Sequence, residues 1–193
     1  ATGSSSSYTY CTSTLGVSSG KWYVEAKLSA ADSSGSRIGV VARPSTATTN
    51  GIGDRQDEVA FQTNGNLKLN SSTTTSWGST WTTNDIIGIA LDLDNNKIYF
   101  SKNGTFVASG NPSTGANGQT ITAASSTIDG FYRFGFGDNN STGSSTFQFN
   151  FGNGFFGTTA ITSAGSNGNG SLFEYDVPSG FYALNTKNIN TYG

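Results

Sequence analysis

Residues 84–106 read Asn84-Asp85-Ile86-Ile87-Gly88-Ile89-Ala90-Leu91-Asp92-Leu93-Asp94-Asn95-Asn96-Lys97-Ile98-Tyr99-Phe100-Ser101-Lys102-Asn103-Gly104-Thr105-Phe106. Ile87, Ile89, Leu91 and Leu93 recur with a period of two, which puts them on one face of a strand over 86–94. Asn95-Asn96 supplies a short turn into a second strand over 97–102, because asparagine tolerates left-handed backbone and bonds its own chain. Asn103-Gly104 then turns the chain again into 105–108, asparagine–glycine being a strong hairpin signal. Three antiparallel strands in 23 residues predict an all-β protein.

The same grammar runs outward from this stretch. Residues 21–28 place Trp22, Val24, Ala26 and Leu28 on one face and Tyr23, Glu25 and Lys27 on the other. Residues 37–42 form a short apolar strand, and 59–63 and 66–70 flank Asn64-Gly65, a further hairpin signal. Residues 131–136 and 146–151 are aromatic strands, with Phe147, Phe149 and Phe151 on one face, and 180–184 is a last aromatic strand. Nowhere do apolar positions repeat at three and four, so no helix of ordinary length is predicted. Residues 43–58, 70–84, 109–130, 137–145 and 157–171 are polar and read as loops; several exceed the lengths usual inside compact domains unless they serve a function. Many short strands with Gly/Asn/Ser punctuation predict a sandwich or barrel.

Composition narrows the function classes. The 193 residues include 28 Ser, 26 Thr, 26 Gly and 19 Asn, together just over half the chain, while charged residues are 11% and aromatic ones 12%. Net charge is −2, so charge-driven disorder is excluded, and so is a transmembrane helix, since no apolar run approaches 18 residues. Ten basic residues against twelve acidic, without a basic cluster, argue against nucleic acid. There is no histidine, which removes Ser-His and Cys-His nucleophiles and the commonest metal ligand. Cys11 is the one cysteine, unable to form an internal disulfide and read as a small buried hydrophobe. The start, Ala-Thr-Gly followed by four serines, reads as a processed product or a fragment of a longer chain.

Five landmarks, in order, carry a family resemblance. Gly20-Lys21-Trp22-Tyr23-Val24-Glu25, Ile38-Gly39-Val40, Trp81, the 84–106 stretch and Asn150-Phe151-Gly152 resemble the pattern of SPRY domains. Asn84 stands where that pattern usually has glycine, which alters a turn only. The resemblance spans about 16–155 and implies an antiparallel β-sandwich of the jelly-roll, concanavalin A-like kind. It divides the chain into a sandwich over 1–155 and a C-terminal extension over 156–193, which packs on the sandwich or links to a neighbour. The tail over 173–186, with Pro178-Ser179-Gly180-Phe181 and Ala183-Leu184-Asn185-Thr186, resembles the ending of SPRY-like modules in structural proteins of marine bacteriophages.

The remaining motifs offer candidate sites. Asp92 to Asn96 invites a calcium reading, but Lys97 and Asn103 stand where a calcium loop needs glycine and glutamate, so no metal is expected. Asp54, Arg55, Asp57 and Glu58 form the one dense charge cluster, expected to be mostly solvated loop charge. No paired acidic motif of the kind glycosidases use accompanies it. Trp77 lies in a Ser/Thr-rich loop, where an aromatic face stacks on sugar while Asn and Ser bond hydroxyls; its alternative is a loop anchor on the sandwich. Phe155, Phe156 and Tyr182 offer either an apolar patch for a neighbouring subunit or a tail folded back on the sandwich.

These readings converge on a non-enzymatic module without cofactor. The resemblance implies a phage virion component, in a tail fibre or other surface projection, that binds a host surface receptor or glycan through loops at one end of the sandwich. Arg43, Arg55, Asp57 and Trp77 are the expected contacts. Expected partners also include other virion proteins and further copies of the chain, but not nucleic acid or membrane, and the expected location is the extracellular virion surface. The alternative is a structural subunit that decorates a capsid or builds a fibre. A carbohydrate-active enzyme and an intracellular peptide-binding adaptor are weaker readings.

Overall fold

Asn103 and Gly104 both have positive φ, 48° and 80°, the backbone a two-residue type I′ hairpin requires, and Lys102 pairs directly with Thr105 across it. Around this turn a computed structural model describes residues 8, 10–32, 35–43, 50–138 and 144–193. One sheet is built on β2 (Lys21–Ala30), with β7 (Ile86–Asp92) and β8 (Lys97–Lys102) following antiparallel. Beyond β8 lie β9 (Thr105–Phe106) and β10 (Gln119–Thr120); on the other side of β2 lies β12 (Thr146–Asn150). The second sheet runs β1 (Tyr10–Thr12), β11 (Arg133–Asp138), β3 (Ser36–Val41), β4 (Glu58–Gln62), β5 (Leu67–Leu69) and β6 (Ser72–Thr74). A small hairpin, β13 (Phe155–Phe156) with β14 (Thr159–Ala160), follows.

The two sheets face each other across one apolar core, so the fold is a β-sandwich. Trp22, Val24, Ala26 and Leu28 of β2 and Ile87, Ile89 and Leu91 of β7 meet Ile38, Val40, Val59, Phe61, Phe134 and Phe136 of the other sheet. Each fully buried large apolar side chain contributes roughly 1.5–3 kcal/mol. Phe61 packs on Phe100 and Phe136 on Phe147, at centroid separations of 5.6 and 4.9 Å. β3 and β4 lie so close that a Cβ on Gly39 would collide with the Val59 carbonyl oxygen.

The second face of β2 is also buried. β15 (Tyr182–Ala183) pairs parallel with β2 at Trp22 and Tyr23. Phe173, Val177, Phe181 and Ala183 cover Tyr23, Ala90 and Tyr99 in a second apolar cluster. The chain ends in a seven-residue helix, α1 (Thr186–Tyr192), whose N-cap Asn185 accepts from the Asn188 N–H at 2.9 Å. This helix and β1, β6, β10, β13 and β14 are not among the elements that the sequence pattern predicts. Residues 1–7, 44–49 and 139–143 of the expected terminus and loops lie outside the described residues.

Candidate functional site

Residues 50–57 fold back over the outer face of β3, β4 and β5. Ile52 seats on Val41 and Ala60. The Arg37 guanidinium donates to the Ile52 carbonyl at 3.1 Å and pairs with Asp54 at 2.7 Å. Lys68 pairs with the other Asp54 oxygen at 3.0 Å, and Asp54 also accepts the Gly51 N–H. Burial pushes the Asp54 carboxyl up, but Arg37 and Lys68 outweigh it and hold it below the ordinary carboxylate range. Glu58, fully buried, accepts the N–H groups of Gly53 and Arg55 and pairs with the Arg55 guanidinium at 2.6 Å. The expectation of solvated loop charges is therefore corrected. The alternation of β4 points Glu58 outward, and the folded-back segment covers it, so these charges pin the segment from beneath.

Three of the four predicted contact residues gather at this segment. Arg43 Nη1 donates to the Gln56 carbonyl at 3.4 Å. Asp57, 4% exposed with φ of 63°, donates its N–H to Asn70 Oδ1 at 2.8 Å and accepts the Ala42 N–H through its carbonyl at 2.9 Å. Arg43 and Arg55 are half-buried and Gln56 is exposed at the rim. Trp77 stands apart. It packs edge-on against Phe61 and Phe100, at 5.7 and 6.0 Å, on the inner side of the sheets, as a loop anchor does. Trp22 and Trp81 are core residues.

The opposite outer face carries a feature the sequence concealed. Glu25, fully buried, accepts the N–H groups of Glu174 and Tyr175 at 2.8 and 2.9 Å and the Tyr23 hydroxyl at 3.2 Å. Burial raises its pKa to about 7, against the lowering pull of those donors. Among the described residues no group of three or more Cys, Asp or Glu is placed to hold a metal ion. Asp54 is held by Arg37, Lys68 and the Gly51 N–H, Glu58 by Arg55 and the N–H groups of Gly53 and Arg55, and Asp57 Oδ1 accepts the Gln56 side-chain amide at 3.4 Å.

The SPRY domain family model matches residues 21–154. The chain belongs to the SPRY family. The solved SPRY domain of human HERC1 is similar over 74% of this chain and 83% of its own, with 19% identity and a TM-score of 0.52. Another human SPRY domain is similar over 75% and 86%, with 18% identity and a TM-score of 0.54. At those identities the likeness establishes the fold. No curated protein matches the chain. The matched region of this SPRY chain ends before residues 155–193, which supply the cover over Glu25.

Proposed function

We propose that this SPRY chain is a non-enzymatic binding module of a phage surface projection, and that it contacts the host cell surface through the rim formed by Arg43, Arg55 and Gln56. The observation that carries the reading is the pinning of residues 50–57 by the Arg37–Asp54, Lys68–Asp54 and Arg55–Glu58 pairs. A loop fixed before contact loses little entropy on binding, which is what a recognition surface gains from such a frame. Asp57 and Trp77 serve the frame, one through backbone bonds and one through core packing. The Ser/Thr/Asn/Gly-rich, charge-poor composition supports an extracellular location.

Fluorescently labelled chain applied to a panel of bacterial cells tests the proposal. Saturable binding to some strains, weakened about tenfold or more by the double change Arg43→Ala and Gln56→Ala, is the expected result. No binding to any strain, or binding indifferent to both changes, overturns it.

A second reading, a structural subunit that binds copies of itself or other virion proteins, is favoured by one observation. Phe155 and Leu172 are 45% and 49% exposed, and Leu172 bridges to Asn153 beside them. This small apolar patch suits a protein contact. Sedimentation at increasing concentration distinguishes the two: a monomer throughout counts against self-assembly.

A further inference from the structure

We propose that the recess between the turn at 111–115 and the C-terminal extension binds a neutral, hydroxyl-rich ligand, a saccharide. The inference adds a second contact, distinct from the 50–57 rim, to the binding-module reading and rests on that reading. Two hollows of about 400 and 390 Å³ flank Pro112 and Ser113, which line both. Each lies within the size range of small-molecule sites.

The charges of the recess cancel. Lys21 Nζ pairs with Asp92 at 3.1 Å, and Lys97 Nζ donates to the Gly115 carbonyl at 2.7 Å. Asp176 in the second hollow balances the remaining lysine. Two lysines and two aspartates sum to zero over the two hollows, so the recess as a whole carries no net charge. What remains is hydrogen-bonding capacity of both senses. Asp176 accepts the Ser166 N–H at 2.6 Å, which holds its carboxyl below the ordinary range, and a carboxylate retains lone pairs for further hydroxyl donors. Ser113 Oγ accepts the Ser179 N–H at 3.1 Å, so its own O–H remains to donate. Asn111 Oδ1 accepts the Thr114 N–H at 3.2 Å, which orients its amide. Phe106, half-buried beside Gly104 and Gly110, gives this polar wall an apolar floor for sugar C–H groups.

The recess is also preorganised. The Ser179–Ser113 bond ties the extension to the turn, Asn167 Nδ2 donates to the Val177 carbonyl at 3.2 Å, and the turn closes on itself through Asn111 and Ala116. A wall assembled from both the family-matched region and the extension exists only while the extension is docked.

The test uses the full chain on an array of neutral and acidic oligosaccharides, with labelled chain on bacterial cells in parallel. The expected result is binding to neutral glycans, reduced tenfold or more in Asn111→Ala with Asp176→Ala, and changed less than twofold between 50 and 500 mM salt. Circular dichroism of the variant confirms that these surface changes leave the fold intact. Binding confined to acidic glycans with a steep salt dependence, or unaltered by the double change, overturns the assignment. Cells bound while no neutral glycan is bound overturn the saccharide recess and leave the binding-module reading in place. Failure to bind both cells and glycans overturns both.

Discussion

Glu25 is a carboxylate without exposure and with backbone N–H groups, not a cation, as its principal partners. Its pKa, raised from 4.5 to about 7, fixes the sign of a pH effect. An acid whose folded-state pKa lies above its unfolded value gives the folded state stability that is fully present below pH 4.5. That stability is lost as pH rises through 7. The span corresponds to about 3 kcal/mol. Thermal midpoints should therefore fall by roughly 6–12 °C between pH 4.5 and 8 from this group, and Glu25→Gln should flatten that slope. An unchanged slope in the variant would show that other groups set the pH response. Gly39 makes a second claim at the same scale. Its position is extended, so conformational freedom is not the issue; the Val59 carbonyl occupies the space of a side chain. Gly39→Ala should destabilise the protein by about 3 kcal/mol, the upper part of the range for overpacking, or prevent soluble expression. A denaturation midpoint matching wild type would refute the close approach of β3 and β4.

At the scale of elements, the extension behaves as a third layer over β2, β7 and β8. Phe173 lies edge-on to Tyr23 at 5.0 Å and is 1% exposed. Phe173→Ala should cost about 3–5 kcal/mol in urea denaturation, as a core position does; a loss under 1 kcal/mol would mean the layer is loosely applied. The sequence made the 84–106 meander legible because alternation and asparagine turns are local signals. It left open whether the extension packs on the sandwich or links to a neighbour, and it did not show which face is covered, since Tyr23 and Glu25 read as the solvent face of an amphipathic strand and their cover lies about 150 residues away. β6 escaped notice for the opposite reason: Ser72–Thr74 has no apolar residue to mark a face, and all three are exposed. The helix at 186–192 has a capping asparagine but no apolar period. At the candidate site Arg55 and Asp57 stand in a dense charge cluster and Arg43 follows from the loops the family resemblance points to, yet the cover over them depends on Ile52 folding back onto Val41 and Ala60, a contact no spacing rule announces.

For the whole molecule, the question is whether the family-matched sandwich and the extension unfold as one. Links that join them include a parallel β-pairing at Trp22 and Tyr23, the Glu25 grip on residues 174 and 175, the Ser179–Ser113 bond and the shared apolar cluster. Tyr23 and Trp22 are neighbours on one strand facing opposite layers, so disorder in either layer disturbs the register of the other. Cooperativity of this kind predicts a single transition. Tryptophan fluorescence, dominated by the core residues Trp22 and Trp81, should lose its native signal at the same urea concentration as the exchange protection of the Glu174 and Tyr175 amides. Protection lost at lower denaturant would make the extension a separate, weaker unit. The same experiment at pH 8 sharpens the test. The Glu25 grip weakens as pH rises through 7, so transitions that separate do so there first, opening the recess that the extension walls.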